Sequence, residues 1–227
     1  MAEEKIKVND FVELEYTGRN PETGGVFDTT SLEVAKANKL SNQDVRPVRI
    51  CVGRGHVVKG LDDAIPGKKP DIQFKVVVPP ELGFGKKSTR LLQLISTGKF
   101  RAQKINPVPG MPVNIDGAYG VVKTVTGGRT IVDFNHPLSG RTLEYEAKVS
   151  RIISETQEKL AVMVDLLLGP SCSGRVEEGK AVIELPQEVP QDFKDRLSKE
   201  IALVIPELKE IAVKSATTVK ESKNANL

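Results

Sequence analysis

The side chains of this sequence that could take part in chemistry are mostly aromatic and aliphatic. The two histidines, His56 and His136, lie far apart, and neither has a cysteine or carboxylate at the spacing of a metal site. The chain contains no P-loop, no GxGxxG sequence after a predicted strand and no GxSxG elbow. We therefore expect no metal and no cofactor, and we do not expect phosphate or acyl transfer.

What the sequence offers instead is a dispersed set of apolar and aromatic residues near predicted strand ends and turns. Taken singly, each would more often belong to a hydrophobic core than to a site. Asp28 differs in type, because this carboxylate directly follows Phe27 and precedes two threonines, where it could also simply form a turn. The whole set comprises Tyr16, Phe27, Asp28, Val57, Val58, Leu61, Phe84 and Tyr145.

Short strands around a short helix would have to position these residues. Apolar residues recur mostly at every second position over residues 5–16, and the same alternation returns over residues 48–52 and 72–78, which is the period of a half-buried strand. Between the last two strands, residues 61–65 predict a short helix that ends at a Pro-Gly pair. This order of elements predicts an α+β domain.

The segment after Gly85 changes in character. Leu91, Leu94 and Ile95 have helical spacing, and residues 110–134 alternate β-branched runs with glycine turns, which is typical of a small β unit. The stretch from residue 86 to residue 105 contains no acid, and its cations are Lys86, Lys87, Arg90, Lys99, Arg101 and Lys104.

Four motifs, VELEYTG, VFDTT, VGRGHVVKGLDDAIPG and VPPELGFG, follow one another in the order of an FKBP-type peptidyl-prolyl cis-trans isomerase domain. A fifth stretch, FNHPLSGRTLEYEAKV, resumes that domain after the basic and β-rich segment. The chain therefore resembles the long, SlyD-like FKBPs, which carry an insert-in-flap domain. The resemblance covers residues 5–153 and implies an isomerase domain of residues 1–86 and 130–153, interrupted by an insert of residues 87–129.

The resemblance also implies a fold and a site. The fold would be an antiparallel sheet curled over a short helix, with a proline-binding pocket between them. The eight residues of the dispersed set would line that pocket, Leu138 would cover it, and Val57 and Val58 would offer backbone groups to the substrate. Apolar walls suit this reaction, because twisting an X-Pro bond breaks no covalent bond and faces a barrier of about 18–20 kcal/mol that is set by amide resonance.

A further α+β domain is predicted over residues 154–227. Ser154, with Gln157 three residues later, has the pattern of a capping box that starts a helix. A hairpin, a helix over residues 191–205 and a strand alternating from Ile211 to Val219 follow, and residues 222–227 are expected to fray. Since an edge strand invites pairing, this domain could form a homodimer.

The expected partners are unfolded or nascent polypeptides held by the insert, with ribosome contact through its basic stretch as a further expectation. Two alternatives remain open. A non-catalytic holdase would result if Leu61 and Phe84, which replace the tryptophan and tyrosine common in FKBPs, abolish catalysis. A ribosome- or RNA-associated factor would use the basic stretch. The client-binding side chains would be Leu91, Leu94, Ile95 and Phe100.

Composition agrees with a multidomain cytoplasmic protein. The 227 residues are 39% hydrophobic and 28% charged, with a net charge of +3, which is too small to indicate nucleic-acid binding outright. Cys51 and Cys172 lie too far apart in the sequence to suggest a disulfide framework. No stretch approaches the roughly 18 apolar residues that a membrane span needs, so we expect no membrane contact.

Overall fold

A computed structural model of the chain describes residues 5–40 and 45–215. Within these ranges it contains three sheets, each associated with its own hydrophobic core. The predicted continuation of the last strand to Val219 and the predicted frayed tail over residues 222–227 lie outside the described residues.

The bounds of the elements are as follows. The strands are β1 Phe11–Arg19, β2 Val26–Thr29, β3 Val48–Cys51, β4 Gln73–Val78, β5 Leu92–Ser96, β6 Pro112–Ile115, β7 Ala118–Thr126, β8 Arg129–Asp133, β9 Leu143–Ile153, β10 Ser173–Glu177, β11 Lys180–Leu185 and β12 Glu210–Ser215. The helices are α1 Leu32–Ala37, α2 Lys59–Asp62, α3 Thr97–Ala102, α4 Thr156–Leu168 and α5 Gln191–Val204.

The first sheet is antiparallel and runs in the order β2-β1-β9-β4, with β3 also paired to β1. Every second residue of β9 is buried from Leu143 to Val149, so one face of this strand lies in the core. Leu61 and Ile65, from α2 and the turn after it, are buried in the same core. An antiparallel sheet packed on a short helix confirms the predicted α+β class.

The first strand is shorter than the alternation over residues 5–16 predicts. It begins at Phe11, because the chain turns at Asn9, whose φ of 74° is left-handed, and the Asp10 carboxylate accepts a hydrogen bond from the Lys7 amide. Ile6 is nevertheless buried, since its amide and carbonyl bond to the turn after α2. The alternation of apolar residues therefore predicted the burial of Ile6 correctly, but it predicted a strand before Phe11 where none is formed.

The helix predicted over residues 61–65 is present but begins earlier, at Lys59. The Val58 carbonyl accepts hydrogen bonds from the amides of Leu61 and Asp62, which starts the helix two residues before the first periodic apolar residue.

The second sheet belongs to the insert and runs in the order β5-β8-β7-β6. The helical spacing of Leu91, Leu94 and Ile95 was misleading, because Leu94 and Ile95 lie in β5, paired with β8, and the helix of this region is α3. Pairing with β8 overrides the local pattern. The sheet also extends to Asp133, four residues beyond the predicted end of the insert at Arg129.

The third sheet runs in the order β10-β11-β12, with β12 parallel to β11, and packs with α4 and α5. The capping box predicted at Ser154 is not formed, since α4 starts one residue later with Glu155 at its N-cap position and no side-chain cap. Gln157 instead reaches β10, where its amide donates to the Gly174 carbonyl and accepts from the Val176 amide. This core also includes residues of β1, β3 and β9, so the third domain packs on the first sheet.

No helix within the described ranges is long and apolar enough to cross a membrane.

Candidate functional site

A cluster of aromatic rings lies where β1, β2 and β9 meet. The ring centroid of Phe27 lies 5.6 Å from that of Tyr145 and 6.3 Å from that of Phe84, both edge to face, and Tyr145 packs in the same way on Tyr16 at 5.9 Å. Gly18 makes this packing possible, because a Cβ there would lie 2.6 Å from the Phe27 ring. The structure thus brings together four residues predicted from distant parts of the sequence.

Asp28 and Tyr16 form the polar part of this cluster. The Tyr16 hydroxyl donates a 2.8 Å hydrogen bond to Oδ2 of Asp28, which is exposed at the rim. Burial, together with the nearby Asp28 carboxylate, holds the pKa of Tyr16 well above its usual value, and the same two causes raise the pKa of Tyr145. Both hydroxyls therefore stay protonated and can donate hydrogen bonds.

A loop held by a buried carboxylate forms the next wall. Asp62 is only 3% exposed and accepts 2.8 Å hydrogen bonds from the amides of Gly53 and Gly55. His56 closes the loop by accepting from the Cys51 amide through Nδ1. Asp62 was not identified from the sequence. The available signal was its position in a predicted helix that follows a loop with glycines that must turn.

Of the backbone groups expected to face the substrate, the carbonyl and the amide of Val58 differ in availability. The Val58 carbonyl is taken by the first turn of α2, which corrects the expectation for that group. The Val58 amide has no hydrogen-bond partner within the described part of the chain, so it remains able to donate. The side chains of Val57 and Val58 are half-buried against the core of the first sheet, whereas Leu61 is fully buried beneath them.

The remaining wall is built by the two links to the insert, which are the segment between β4 and β5 and the return link between β8 and β9. The rings of Phe84 and His136 stack in parallel with centroids 4.4 Å apart. Ser139 Oγ donates to the Phe84 carbonyl, and the Gly140 amide donates to the Gly85 carbonyl. Leu138, expected as a cover, is half-buried against the same core. From the sequence His136 was considered as a possible metal ligand, and its contact with Phe84 was missed.

The client-binding residues expected in the insert are not all accessible. Leu91 is exposed and Leu94 is 60% exposed, whereas Ile95 is half-buried against the insert core. Phe100 is 4% exposed and forms part of that core, so it lacks the exposure that its expected role as a client contact requires. Residues 92–96 form a strand and not the predicted helix. The helix of this region is therefore α3, which contributes Phe100 to the insert core.

The described residues contain no cluster of three or more His, Cys, Asp or Glu side chains that could hold a metal ion. Cys51 and Cys172 are free thiols, and burial raises the pKa of Cys51 to about 11. The arrangement as a whole is an aromatic wall with one rim carboxylate and one available amide. It can bind an apolar ring and a carbonyl group and exclude water, which favours a twisted, less polar amide over a planar one.

Comparison with known proteins agrees with this geometry. Residues 2–100 match the model of the FKBP-type peptidyl-prolyl cis-trans isomerases, and residues 93–138 match that of the FKBP26 IF domain. The chain is 33% identical over 146 residues to the short-type peptidyl-prolyl cis-trans isomerase of Methanocaldococcus jannaschii, covering 63% of this chain and 92% of that protein. It is 28% identical over 180 residues to the FKBP-type isomerase SlyD of Treponema pallidum, covering 75% and 89% respectively.

Proposed function

This chain belongs to the FKBP-type peptidyl-prolyl cis-trans isomerases, and we propose that it acts on unfolded or nascent polypeptides, which its insert holds while the aromatic pocket isomerises their X-Pro bonds. The observation that carries the proposal is the convergence of Phe27, Tyr145 and Phe84, in the same hydrophobic core against which Val58, with its available amide, packs. In this arrangement the proline ring packs on the aromatic wall, and a carbonyl next to it accepts from Val58.

The pocket lowers the barrier without a nucleophile. Rotation about the X-Pro bond passes through a twisted amide, in which resonance and charge separation are reduced. An aromatic wall that excludes water disfavours the planar, more polar amide, and a fixed N–H donor holds the chain on one side of the rotating bond. Tyr16 and Asp28 fix the orientation of the rim through their hydrogen bond.

In this proposal the insert binds the client and holds it near the pocket. Its two links are tied to each other, since Asn135 accepts from the Ser88 amide and donates to the Ser88 carbonyl. The return link also carries His136, which stacks on Phe84. A client bound to the insert therefore stays close to the pocket, where tethering gives an effective concentration in the millimolar range.

Replacing Asp28 with alanine tests the assignment of the pocket. We expect kcat/KM for a proline-containing tetrapeptide to fall about tenfold, because Tyr16 loses the carboxylate that its hydroxyl bonds. Suppression of aggregation of an unfolded protein should be unchanged. D28N serves as the matched control, since its amide oxygen still accepts from Tyr16, and it should stay within about threefold of the unmodified protein. A wild-type chain that suppresses aggregation without any isomerase activity would favour the holdase instead.

We also propose that β12 joins two copies of the chain. Gln157 occupies the hydrogen-bonding edge of β10, which leaves β12 as the edge of the third sheet that no described residue pairs with. In an antiparallel pairing centred on Ala212, Glu210 of each copy would face Lys214 of the other, and Ile211 would face Val213. Lys214 has no ion-pair partner among the described residues, so it is available for this contact.

Charge complementation tests the dimer. We expect E210K and K214E each to weaken self-association about tenfold or more, because each variant places like charges opposite one another at two symmetric positions. An equimolar mixture should restore the dimer, since the charges are then opposite again. Light scattering across a concentration series reports the mass of each sample. A wild-type chain that stays monomeric, or variants that dimerise as well as wild type, would refute this pairing.

A further inference from the structure

The outer face of the insert sheet is apolar at its centre, and several of its apolar side chains are exposed. Leu92 and Leu94 of β5 lie on this face, and their register places Leu92 in a row with Asp133 and Val121, and Leu94 in a row with Ile131. Leu92 is 42% exposed and Val121 is 41% exposed. The opposite face is filled by α3 and the insert core. Apolar side chains on an open sheet face, within a domain that has its own core, indicate a binding surface.

Cations lie at both ends of this outer face. Arg129 lies beside Ser96 at one end, and no ion pair joins Arg129 to any other described residue. At the other end Lys87 and Lys123 both approach Oδ2 of Asp133, at 3.5 and 3.9 Å. Because Asp133 is the single carboxylate of this group and is buried, two lysines exceed its charge by one. The face is therefore positive at both ends of an apolar centre.

The spacing of these charges sets the length of an occupant. Arg129 and Asp133 are four residues apart along β8, which corresponds to about 13 Å in an extended chain. The end with the two lysines borders a cleft of about 310 Å³ that is also lined by His136 and Pro137. A chain lying along the face would thus leave it beside the residue that stacks on Phe84 in the pocket.

We propose that the outer face of the insert binds client segments in which a short apolar run is flanked by Asp or Glu residues. This inference rests on the proposed function of the insert and specifies the class of client. The carboxylates would lie against Arg129 at one end and Lys87 and Lys123 at the other. The apolar run would cover Leu94 and Ile131 between these ends, and Leu92 and Val121, which lie level with Asp133, would border it. RNA could use the cations but not the exposed leucines, so a polypeptide fits this face better.

Three proline-free peptides with the same Leu-Val-Leu centre test the inference with the intact protein. They differ only in flanking residues, which are Glu, Gln or Lys, and binding is followed by fluorescence anisotropy. We expect the Glu peptide to bind about five- to tenfold more tightly than the Gln peptide at low salt, and the Lys peptide most weakly. High salt should remove the difference between the Glu and Gln peptides, because these ion pairs are exposed.

Two double variants locate the surface. K123Q with R129Q should abolish the preference for the Glu peptide and leave binding of the Gln peptide unchanged. R101Q with K104Q removes the same net charge from α3 and the residues after it, on the covered side, and should preserve the preference.

The outcomes separate this inference from the proposed function beneath it. Equal affinity for the three peptides would overturn the charge preference but leave client capture in place, whereas absence of binding by all three would contradict capture itself. A preference that survives K123Q with R129Q would place the site elsewhere. Displacement of the Glu peptide by a single-stranded RNA with a steeper salt dependence would assign the cations to nucleic acid and overturn the inference.

Discussion

Replacing residues 89–133 with a short Gly-Ser turn should lower catalysis of a proline-limited refolding reaction about 100-fold while leaving tetrapeptide isomerisation within about threefold of wild type. The expected loss follows from tethering, because a client held by the insert meets the pocket at an effective concentration far above its concentration in solution. A tetrapeptide is too short to engage both surfaces. Parallel assays of the two substrates on the same preparations measure the ratio.

The choice of end points matters for this experiment. Residues 84 and 85 are bonded by Ser139 and Gly140, and His136 stacks on Phe84, so a longer deletion would remove part of the pocket wall. Retaining Lys87, Ser88 and residues 135–140 preserves these contacts. Equal losses for both substrates would indicate that the insert acts by shaping the pocket, and no loss for either would contradict its proposed role in client capture.

Substituting Asp62 with alanine should lower the free energy of unfolding by about 2–5 kcal/mol and reduce kcat/KM for the tetrapeptide more than tenfold. The carboxylate is buried and accepts from the amides of Gly53 and Gly55, which would both lose their partner. The same loop leads to Val57 and Val58, so its loosening misplaces the proposed amide donor. Urea denaturation and isomerase assays below the transition measure the two effects separately.

Asp63 provides the matched control for Asp62. It follows directly in the chain, but its carboxylate is exposed and, among the described residues, bonds only to Lys59, one turn away in the helix. D63A should therefore change the free energy of unfolding by less than about 0.5 kcal/mol. Similar losses for D62A and D63A would show that the acidic pair serves the helix and not the loop.

The sequence predicted the isomerase domain better than it predicted the insert. In the first sheet the alternation of apolar residues agrees with burial, and Phe27, Phe84 and Tyr145, which the resemblance assigns to one pocket, pack on one another. In the insert, β5 carries apolar residues on both faces, since Leu94 is exposed and Ile95 contacts the core. Such a run has no period of two, and local spacing then suggests a helix.

The parts of the site that sequence patterns missed depend on contacts between distant residues. In the sequence Asp62 is one of two adjacent acids in a predicted helix. Only the folded loop shows that its carboxylate accepts hydrogen bonds from two amides. His136 reads as a turn residue, and its stacking depends on the return link passing across Phe84. The available Val58 amide is likewise a property of the helix start, which periodicity placed two residues late.

The central position of β9 has a consequence for synthesis of the chain. Because β9 pairs with both β1 and β4, the catalytic sheet cannot close until residue 153 has left the ribosome. All four strands of the insert, by contrast, lie between residues 92 and 133 and pair only with one another. Vectorial synthesis therefore lets the insert fold first, as a contiguous unit of mostly local contacts, before its host domain is complete. The surface proposed to capture clients would mature ahead of the isomerase that acts on them.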